Sequence, residues 1–429
     1  MNRRKFMKSS VAASAALALN SNRILGANNR VQFALLGCGG RGSFVARGLI
    51  EAGGDCLAIC DLLDSRLDKT ADFLSAVQEK KPKRVKDMSL IFEDKEIDAV
   101  VVATPDHWHA PASLMALQAG KDVYVEKPHA HNIRESQKMI EAAAKYDRIL
   151  QVGTQNRSAP YNLAGLDYVK TGALGKTGLV KVYNLKPGKA FYLGDSKKIP
   201  PNFNWDAWLG PAPERDYHDQ IFHGGWHKYW DYSGGDLSDD GIHQLDLALL
   251  MMGDPSLPKK VTCIGGKKVF KDDRQVPDVQ VATFDFEDFI LTLELTNYPR
   301  YMQKTTGTIR RNDELPYWAQ NATRVELYGS EQMMTIGRHG GGWQVTTSGG
   351  KVVEQMYGRP ADEPHYINFL DCVKSRAKPN ADIKTAHVAC TMIHMANIAH
   401  RLGNIGLTFD PVSERFTDND RANDLLKRL

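Results

Sequence analysis

The stretch VQFALLGCGGRG, residues 31–42, constrains the fold most strongly, because it joins an apolar run to three glycines with G-x-G-x-x-G spacing. The run 31–36 is short and contains β-branched and aromatic residues, which predicts a buried strand. The residues that follow place apolar side chains on one side of a predicted helix, and a second strand, 56–60, ends at Asp61. Strand, glycine turn, helix and strand in this order predict the start of an α/β domain.

The glycine turn and Asp61 together have the chemistry to hold a dinucleotide. Gly37 permits a tight turn, Gly39 lets backbone amides approach a pyrophosphate, and Gly42 lets the helix lie close to the strand. Asp61 can accept hydrogen bonds from the adenine-side ribose hydroxyls and repels a 2′-phosphate, which favours NAD over NADP. A glycine-rich turn in a different α/β fold is the alternative interpretation of the glycines alone.

Strands and helices continue to alternate as far as residue 155. Buried strands are predicted at 97–105, 122–128 and 149–155, with helices at 110–120 and 133–146. This alternation predicts a Rossmann domain, 28–155, with a doubly wound parallel sheet. Ligands bind beyond the carboxyl ends of such strands, so a crevice is expected there. The residues at these ends are 104–110, 126–131 and 153–157.

After about residue 155 the pattern changes to strands that follow one another. Most strand-like runs between 178 and 347 have no intervening helix, and a tight hairpin is expected around Glu287–Asp288. A long helical segment is expected over 364–403. We therefore predict an α+β substrate domain over 156–429 with an open, largely antiparallel sheet. Two domains agree with a length of 429 residues, which exceeds the usual limit of a single core.

The run WDYSGGDLSDDGIHQLDLALL concentrates ionisable side chains on a predicted helix. Asp239, His243 and Asp246 are spaced i, i+4 and i+7, which places them on one helix face. An imidazole beside a carboxylate is suited to proton transfer near neutral pH. A solvated face, or a helix N-cap at Ser238, would explain the same pattern. A metal site that includes His223 is a further alternative, but we predict no metal.

Several motifs, taken in order, resemble the Gfo/Idh/MocA family of NAD(P)-dependent sugar and inositol oxidoreductases. They are GCGGRG, ATPDHWHA, EKP, QVGTQNRS, WDAWLGPAP and D-x-x-x-H-x-x-D, and they extend over nearly the whole chain after residue 27. The resemblance implies that Lys127 of EKP stabilises the reacting hydroxyl, that His243 is the acid/base, and that Asp239 supports them. Removing a hydride from an alcohol carbon requires a base on the hydroxyl and a positive group near its oxygen.

The resemblance and the strand-end positions define a set of candidate site residues. Expected cofactor-binding residues are Gly37, Gly39, Gly40, Arg41, Gly42, Asp61, Thr104, Pro105, His107, His109, Glu126, Lys127 and Gln155. Expected substrate contacts are Arg157, Trp205, His223, Trp226, His227, Tyr229, Asp239 and His243. Aromatic rings with polar neighbours suit the apolar faces of sugar rings. A buried core cluster is the alternative interpretation of the aromatic members.

The first 27 residues resemble an export signal of the twin-arginine type. Arg3 and Arg4 precede a modestly apolar stretch that is too short to span a bilayer. An ordinary signal peptide or a disordered basic tail is the alternative. We expect an exported, periplasmic protein with no membrane partner after the signal is removed. Four basic residues before residue 9 account for the formal net charge of +4, and a near-neutral body argues against nucleic acid.

These features predict an NAD-dependent oxidoreductase that transfers a hydride between a secondary hydroxyl of a sugar or glycoside and nicotinamide. Because the periplasm has no free NAD pool, an exported enzyme of this kind would keep its cofactor tightly bound. The alternative is a glycosidase acting through transient oxidation and elimination, although the closest such relatives lack the EKP lysine. A sugar-binding protein without catalysis is disfavoured by Lys127, Asp239 and His243. The resemblance implies a homo-oligomer, and the scattered cysteines predict free buried thiols.

Overall fold

A computed structural model describes residues 30–428, so the predicted export signal at 1–27 lies outside the described residues. In this part of the chain a first sheet has six strands: β1 (Gln32–Leu36), β2 (Asp55–Cys60), β3 (Lys83–Val85), β4 (Ala99–Val102), β5 (Asp122–Val125) and β6 (Leu150–Val152). Their order is β3-β2-β1-β4-β5-β6, and each neighbouring pair is parallel. The predicted doubly wound parallel sheet is confirmed.

Helices cover both faces of this sheet because its central strands are apolar on both sides. They are α1 (Gly40–Glu51), α2 (Asp64–Ser75), α3 (Ser89–Phe92), α4 (Asp106–Gln118) and α5 (Ile133–Tyr146). In β4, Val101 packs in the cluster that contains α1 and α2, whereas Val100 and Val102 pack in the cluster that contains α4 and α5. Both faces of one strand are therefore buried in hydrophobic cores.

The glycine turn between β1 and α1 has no room for side chains at two of its positions. Gly37 has φ +93°, and a Cβ on it would lie 2.5 Å from the carbonyl oxygen of Ala103. A Cβ on Gly42 would lie 2.0 Å from the carbonyl oxygen of Gly37. A Cβ on Gly39, by contrast, would meet nothing within 4 Å, because this position opens onto the groove described below. The glycines thus bring α1 close to the strand ends.

The second half of the chain forms a larger mixed sheet. Its strands are β7 (Thr177–Leu185), β8 (Lys260–Gly266), β9 (Val279–Asp285), β10 (Ile290–Thr296), β11 (Thr323–Gly329), β12 (Met333–Gly337), β13 (Trp343–Thr346), β14 (Val352–Met356), β15 (Gly406–Asp410) and β16 (Arg415–Phe416). Their order is β14-β13-β12-β11-β7-β10-β9-β8-β15-β16. The pair β7–β10 is parallel and the other neighbours are antiparallel. The predicted open, largely antiparallel sheet is confirmed, and so is the hairpin around Glu287–Asp288.

The helices of this half of the chain are α6 (Pro160–Lys170), α7 (Trp205–Leu209), α8 (Asp219–Phe222), α9 (Ile242–Met251), α10 (Gly307–Arg311), α11 (Asp362–Ser375), α12 (Ile383–Arg401) and α13 (Asp420–Asp424). Helices α6, α9 and α12 contact strands of the larger sheet. The long helical segment expected over 364–403 is interrupted after α11, where Arg376 has φ +62° and Pro379 cannot continue the hydrogen-bond pattern.

Helix α11 returns to the first sheet. Tyr366, Phe369 and Leu370 belong to the same hydrophobic cluster as Val45 of α1 and Val101 of β4. A late segment of the chain therefore completes one face of the Rossmann sheet, although the sequence placed it wholly in the second domain. The boundaries at residues 155 and 156 stay predictions.

The cysteines form no disulfides in the described chain. All six are buried and free, which confirms the prediction of unpaired thiols. Between residues 30 and 428, no helix has both the length and the apolar character needed to cross a membrane.

The predicted single stripe of Asp239, His243 and Asp246 is wrong. Residues Leu237–Gly241 form a π-helical turn, and the regular helix α9 begins only at Ile242. The wider turn changes the direction of Asp239 relative to the two residues on α9. As a result, Asp239 and His243 border one cavity, whereas Asp246 is fully buried against Arg157.

Arg157 and Asp246 form a buried ion pair between the turn that follows β6 and helix α9. Nε of Arg157 donates to both carboxylate oxygens of Asp246, at 2.8 and 2.9 Å, and the Arg157 Nη1 lies 2.9 Å from Asp254. The Arg157 and Asp246 side chains are 2% and 0% exposed. Burial would lower the pKa of Arg157, but the two carboxylates outweigh it and raise that pKa. The structure thus places Arg157 in the interior and not, as expected from the sequence, at a substrate.

We expect Asp246→Ala to lower the free energy of unfolding by about 3 kcal/mol or more, because it leaves the Arg157 guanidinium buried beside the half-exposed Asp254 alone. Glu51→Ala is the matched control, since it removes a carboxylate that pairs with Arg47 at the surface and should cost less than about 0.5 kcal/mol. Chemical unfolding followed by circular dichroism measures both. Equal stability of the two variants would contradict this role of the pair.

Candidate active site

A groove of about 840 Å³ runs along the carboxyl ends of the parallel strands. Its floor is the glycine turn, where the N-terminus of α1 presents free backbone amides. Predicted cofactor-binding residues that line the groove are Gly37, Gly39, Gly40, Arg41, Gly42, Asp61, Thr104, Pro105, His109, Glu126 and Lys127. The open space beside Gly39 and the amides behind it fit the pyrophosphate of a dinucleotide.

Asp61 is held at the end of β2 by the backbone. Its Oδ2 accepts a hydrogen bond from the amide of Cys38 at 2.9 Å, and its Oδ1 accepts one from the amide of Leu63 at 3.0 Å. Arg66 lies 3.9 Å away, so the carboxylate is only loosely paired. A fixed carboxylate at this place in the groove suits the ribose hydroxyls of the adenine side.

An aromatic segment covers the groove from the second half of the chain. Trp208 and Phe222 belong to a compact cluster of buried rings and also line the groove, together with Trp226. The guanidinium of Arg66 lies over the ring of Phe222, 4.7 Å from its centroid. This contact links the start of α2 to the covering segment, so the segment lies across the groove from the glycine turn.

A second cavity of about 490 Å³ meets the groove. Arg41, Glu126, Lys127 and Asp239 line both spaces. His243 lines the second cavity. The structure therefore places the predicted catalytic residues Lys127, Asp239 and His243 on one cavity wall, next to the groove.

Lys127 and Asp239 are in direct contact. Lys127 Nζ donates to Asp239 Oδ1 at 3.0 Å and also to the Asp239 carbonyl oxygen. Desolvation would lower the pKa of Lys127, but Asp239, Glu126 and Asp106 outweigh it and raise that pKa. Desolvation would raise the pKa of Asp239, but Lys127, His227 and Lys186 hold it well below its ordinary value. The amine is therefore a stable cation and the carboxylate a stable anion at neutral pH.

His243 is a neutral imidazole. It is 3% exposed, and its Nδ1 has no hydrogen-bond partner among residues 30–428. Burial, and then the positive charges of Arg338 and Lys127, hold the pKa of His243 well below its ordinary value. A neutral imidazole can accept a proton, which is what a general base requires.

Four residues predicted to contact ligands do not line either cavity. The guanidinium of Arg157 is buried in its ion pair with Asp246. The Nε2 of His107 is 2.9 Å from the carbonyl oxygen of Trp208, behind the groove wall. Trp205 stacks on Trp208 with ring centroids 4.5 Å apart, and Tyr229 is 4% exposed in the same cluster. The core interpretation of these aromatic residues is therefore the one that the packing supports.

The remaining predicted residues are divided between the two spaces. His223, Trp226 and His227 line the groove. Gln155 lines the second cavity, and its Nε2 donates to the hydroxyl of Tyr124 at 3.1 Å. Since His223 and His243 border different cavities, they do not form a joint metal site. Among residues 30–428, no group of three or more potential ligands is arranged to hold a metal ion.

Several residues at the site had no sequence signal. Asp106 borders the groove, accepts a hydrogen bond from Ser233 Oγ at 2.6 Å, and burial raises its pKa to about 8. The second cavity is also lined by basic side chains from loops and a short helix of the second half: Lys186, Lys304, Arg310 and Arg338. These four are brought together only by the fold of the larger sheet, so neither periodicity nor motif spacing could find them.

The Rossmann sheet, its glycine turn and the groove define an NAD-binding oxidoreductase fold with a second α/β domain. Sequence models of the Gfo/Idh/MocA family match the chain, with the NAD-binding Rossmann fold at residues 31–154 and the C-terminal alpha/beta domain at 180–290 and 343–429. The chain belongs to this oxidoreductase family, and the resemblance seen in the motifs is confirmed.

Individual relatives share about a quarter of their aligned residues with this chain. The chain is 26% identical over 311 residues to a scyllo-inositol 2-dehydrogenase (NAD(+)) of Bacillus subtilis, and the aligned region covers 72% of this chain and 74% of that protein. It is 27% identical over 151 residues to a glycosyl hydrolase family 109 protein of Shewanella baltica, and the match spans only 33% of that protein. The fold resembles that of the WlbA dehydrogenase from Bordetella pertussis, solved with NADH and UDP-GlcNAcA, with a TM-score of 0.65 and 16% identity over 89% of this chain and 99% of that one.

Proposed function

We propose that the protein is an NAD-dependent oxidoreductase that transfers a hydride between a secondary hydroxyl of a sugar or glycoside and nicotinamide. The main support for this proposal is that Lys127, Asp239 and His243 line the same cavity, at the place where it meets the groove. The inositol dehydrogenase similarity supports it, because that relative acts on a ring of secondary hydroxyls.

Each side chain on this wall has a distinct task. NAD bound in the groove supplies the hydride acceptor. His243 takes the proton of the hydroxyl on an imidazole nitrogen, since its ring is neutral at physiological pH. Lys127 donates a hydrogen bond to the same oxygen and stabilises the negative charge that develops there. Asp239 keeps Lys127 charged and oriented through their 3.0 Å contact.

We propose NAD as the cofactor in preference to NADP. The fixed carboxylate of Asp61, which accepts hydrogen bonds from two backbone amides, favours ribose hydroxyls and repels a 2′-phosphate. We also propose that the protein is exported through its twin-arginine-like first 27 residues and keeps its cofactor. The roof formed by Trp208, Phe222 and Trp226 supports retention, because these rings would cover part of a dinucleotide bound in the groove.

We propose that the enzyme is a homo-oligomer. The face of the larger sheet opposite its packed helices exposes Ile264 and Val281, which are direct cross-strand partners and are 66% and 44% exposed. A paired apolar surface of this kind suits contact with a second copy of the chain.

A glycosidase that oxidises its sugar transiently is the second candidate. The similarity to the glycosyl hydrolase family 109 protein favours it, although that match covers a third of the relative. Such an enzyme would release the aglycone from a chromogenic glycoside with no net change in reduced nicotinamide. A dehydrogenase would accumulate reduced nicotinamide instead, so one absorbance experiment separates the two.

Protein purified in its native state, without added nucleotide, should contain close to one NAD or NADH per chain. Mass spectrometry of the denatured supernatant and absorbance near 340 nm measure this content. Phe222→Ala opens the roof and should speed loss of the cofactor during dialysis, whereas Phe73→Ala, at an exposed position on α2, should not. Cofactor-free protein that binds NAD only weakly would refute retention.

His243→Ala should lower kcat by about 10²- to 10⁴-fold, the usual contribution of a general base, and leave NAD binding intact. His400→Ala is the matched control, because His400 lies on α12 outside both cavities. In the unaltered enzyme His243 must be neutral to act as a base. Because its pKa is held well below the ordinary value of about 6.5, kcat/KM should stay constant through that pH and fall only at more acidic pH. Unchanged turnover in the alanine variant would remove His243 from the mechanism.

A further inference from the structure

The second cavity is much more basic than the protein as a whole. The chain has a formal net charge of +4, and five basic and no acidic residues lie in 1–29, so residues 30–429 carry 4 − 5 = −1. The cavity wall nonetheless has six basic side chains: Arg41, Lys127, Lys186, Lys304, Arg310 and Arg338. Its four carboxylates are Glu126, Asp239, Asp240 and Asp362. Two positive charges are therefore in excess on the wall of one cavity in a nearly neutral molecule.

The excess is concentrated away from Lys127. Arg41 pairs with Glu126 and Asp362, and Lys127 pairs with Asp239, so the charges near the groove are matched. At the other part of the wall Asp240 is shared by three cations: Lys186 at 3.3 Å, Lys304 at 2.6 Å and Arg338 at 3.9 Å. Lys186 also pairs with Asp236 at 3.2 Å and with Asp239 at 3.4 Å, so the excess of positive charge lies on Lys304, Arg310 and Arg338.

Arg310 adds a further unmatched charge. Its Nε donates to the carbonyl oxygen of Thr305 at 2.7 Å. No carboxylate of the described chain, residues 30–428, lies within ion-pair distance of it. The guanidinium belongs to α10, a short helix whose remaining basic residue, Arg311, is exposed and lines neither cavity.

The pKa shifts of the basic side chains agree with this uneven distribution of charge along the cavity wall. For Lys127 the neighbouring carboxylates outweigh desolvation, and its pKa is raised. For Lys304, Arg310 and Arg338 desolvation outweighs the carboxylates, and the pKa of each is lowered. For these three cations the nearby carboxylates do not fully offset the loss of hydration, and an anion placed among them would do so.

The basic surface extends outward from the cavity. A neighbouring depression shares Lys186 and Lys304 with it and is also lined by Lys189, Lys228 and Arg300. Asp236 is the one carboxylate on that depression. The positive charge of this depression attracts anions from solution and raises their concentration next to the second cavity.

We propose that the substrate carries an anionic group, the carboxylate or phosphate of an acidic sugar, which Arg310 and Arg338 bind in the second cavity. The inference rests on the proposed oxidation of a sugar at this site. Planar guanidinium groups match the paired oxygens of such anions. With the anion at this part of the wall, the sugar ring extends toward Lys127 and His243, which present their amine and imidazole to a ring hydroxyl.

Calorimetric titration of the NAD-saturated, full-length protein tests the proposal with three probes: D-glucuronate, D-glucose 6-phosphate and D-glucose. At least one acidic sugar should bind about tenfold or more tightly than glucose, and the stronger of the two identifies the carboxylate or the phosphate as the preferred group. Added salt should weaken binding of the acidic sugar and leave that of glucose almost unchanged.

Arg310→Gln should reduce the affinity for the preferred acidic sugar about tenfold, whereas the matched variant Arg311→Gln should not change it. Glucose binding as tight as that of both acidic sugars, or equal behaviour of the two variants, would overturn the proposal. The preference for acidic sugars and the proposed oxidoreductase function can be refuted independently of each other. Oxidation of neutral sugars with no preference for acidic ones defeats this inference alone, whereas Arg310-dependent binding without reduction of NAD by any sugar defeats the proposed function alone.

Discussion

The buried pair of Arg157 and Asp246 is the interaction on which the geometry of the site depends. Arg157 follows β6 at the carboxyl edge of the Rossmann sheet, and Asp246 lies on α9, three residues after His243. The pair therefore fixes α9 against the strand ends from which Lys127 projects. Burying two charges is costly, and such a pair is stable only with full hydrogen bonding, so it favours one placement of α9 beside the turn that follows β6. That arrangement brings an amine from one half to an imidazole from the other.

The distribution of charge then divides the second cavity by function. Where it meets the groove, Arg41 and Lys127 each pair with a carboxylate, so Lys127 stays charged, and the nearby imidazole of His243 is neutral. Around Arg310 and Arg338 there are fewer carboxylates than cations, so this part of the wall favours a negatively charged ligand. In our proposal a single cavity thus combines the catalytic residues with the residues that bind the anionic group.

The sequence was sufficient for features that arise locally and insufficient for those that arise from long-range packing. The glycine turn, the alternating elements and Asp61 are adjacent along the chain, so their spacing predicted the Rossmann sheet and the groove. The resemblance supplied Lys127, Asp239 and His243. Periodicity could not reveal the π-helical turn at Leu237–Gly241, because the residues there keep an ordinary helical pattern. Nor could it show that Trp205 is buried, since a ligand-binding tryptophan and a core tryptophan look alike in one sequence.

A crystal structure of the protein with NAD tests the central claim most directly, which is that two distant parts of the chain converge on one nicotinamide ring. We expect the ring to lie where the groove meets the second cavity, with Lys127 and His243 both facing the same side of it. A nicotinamide ring beneath the aromatic roof near Phe222, with His243 beyond reach across the wall, would refute this convergence.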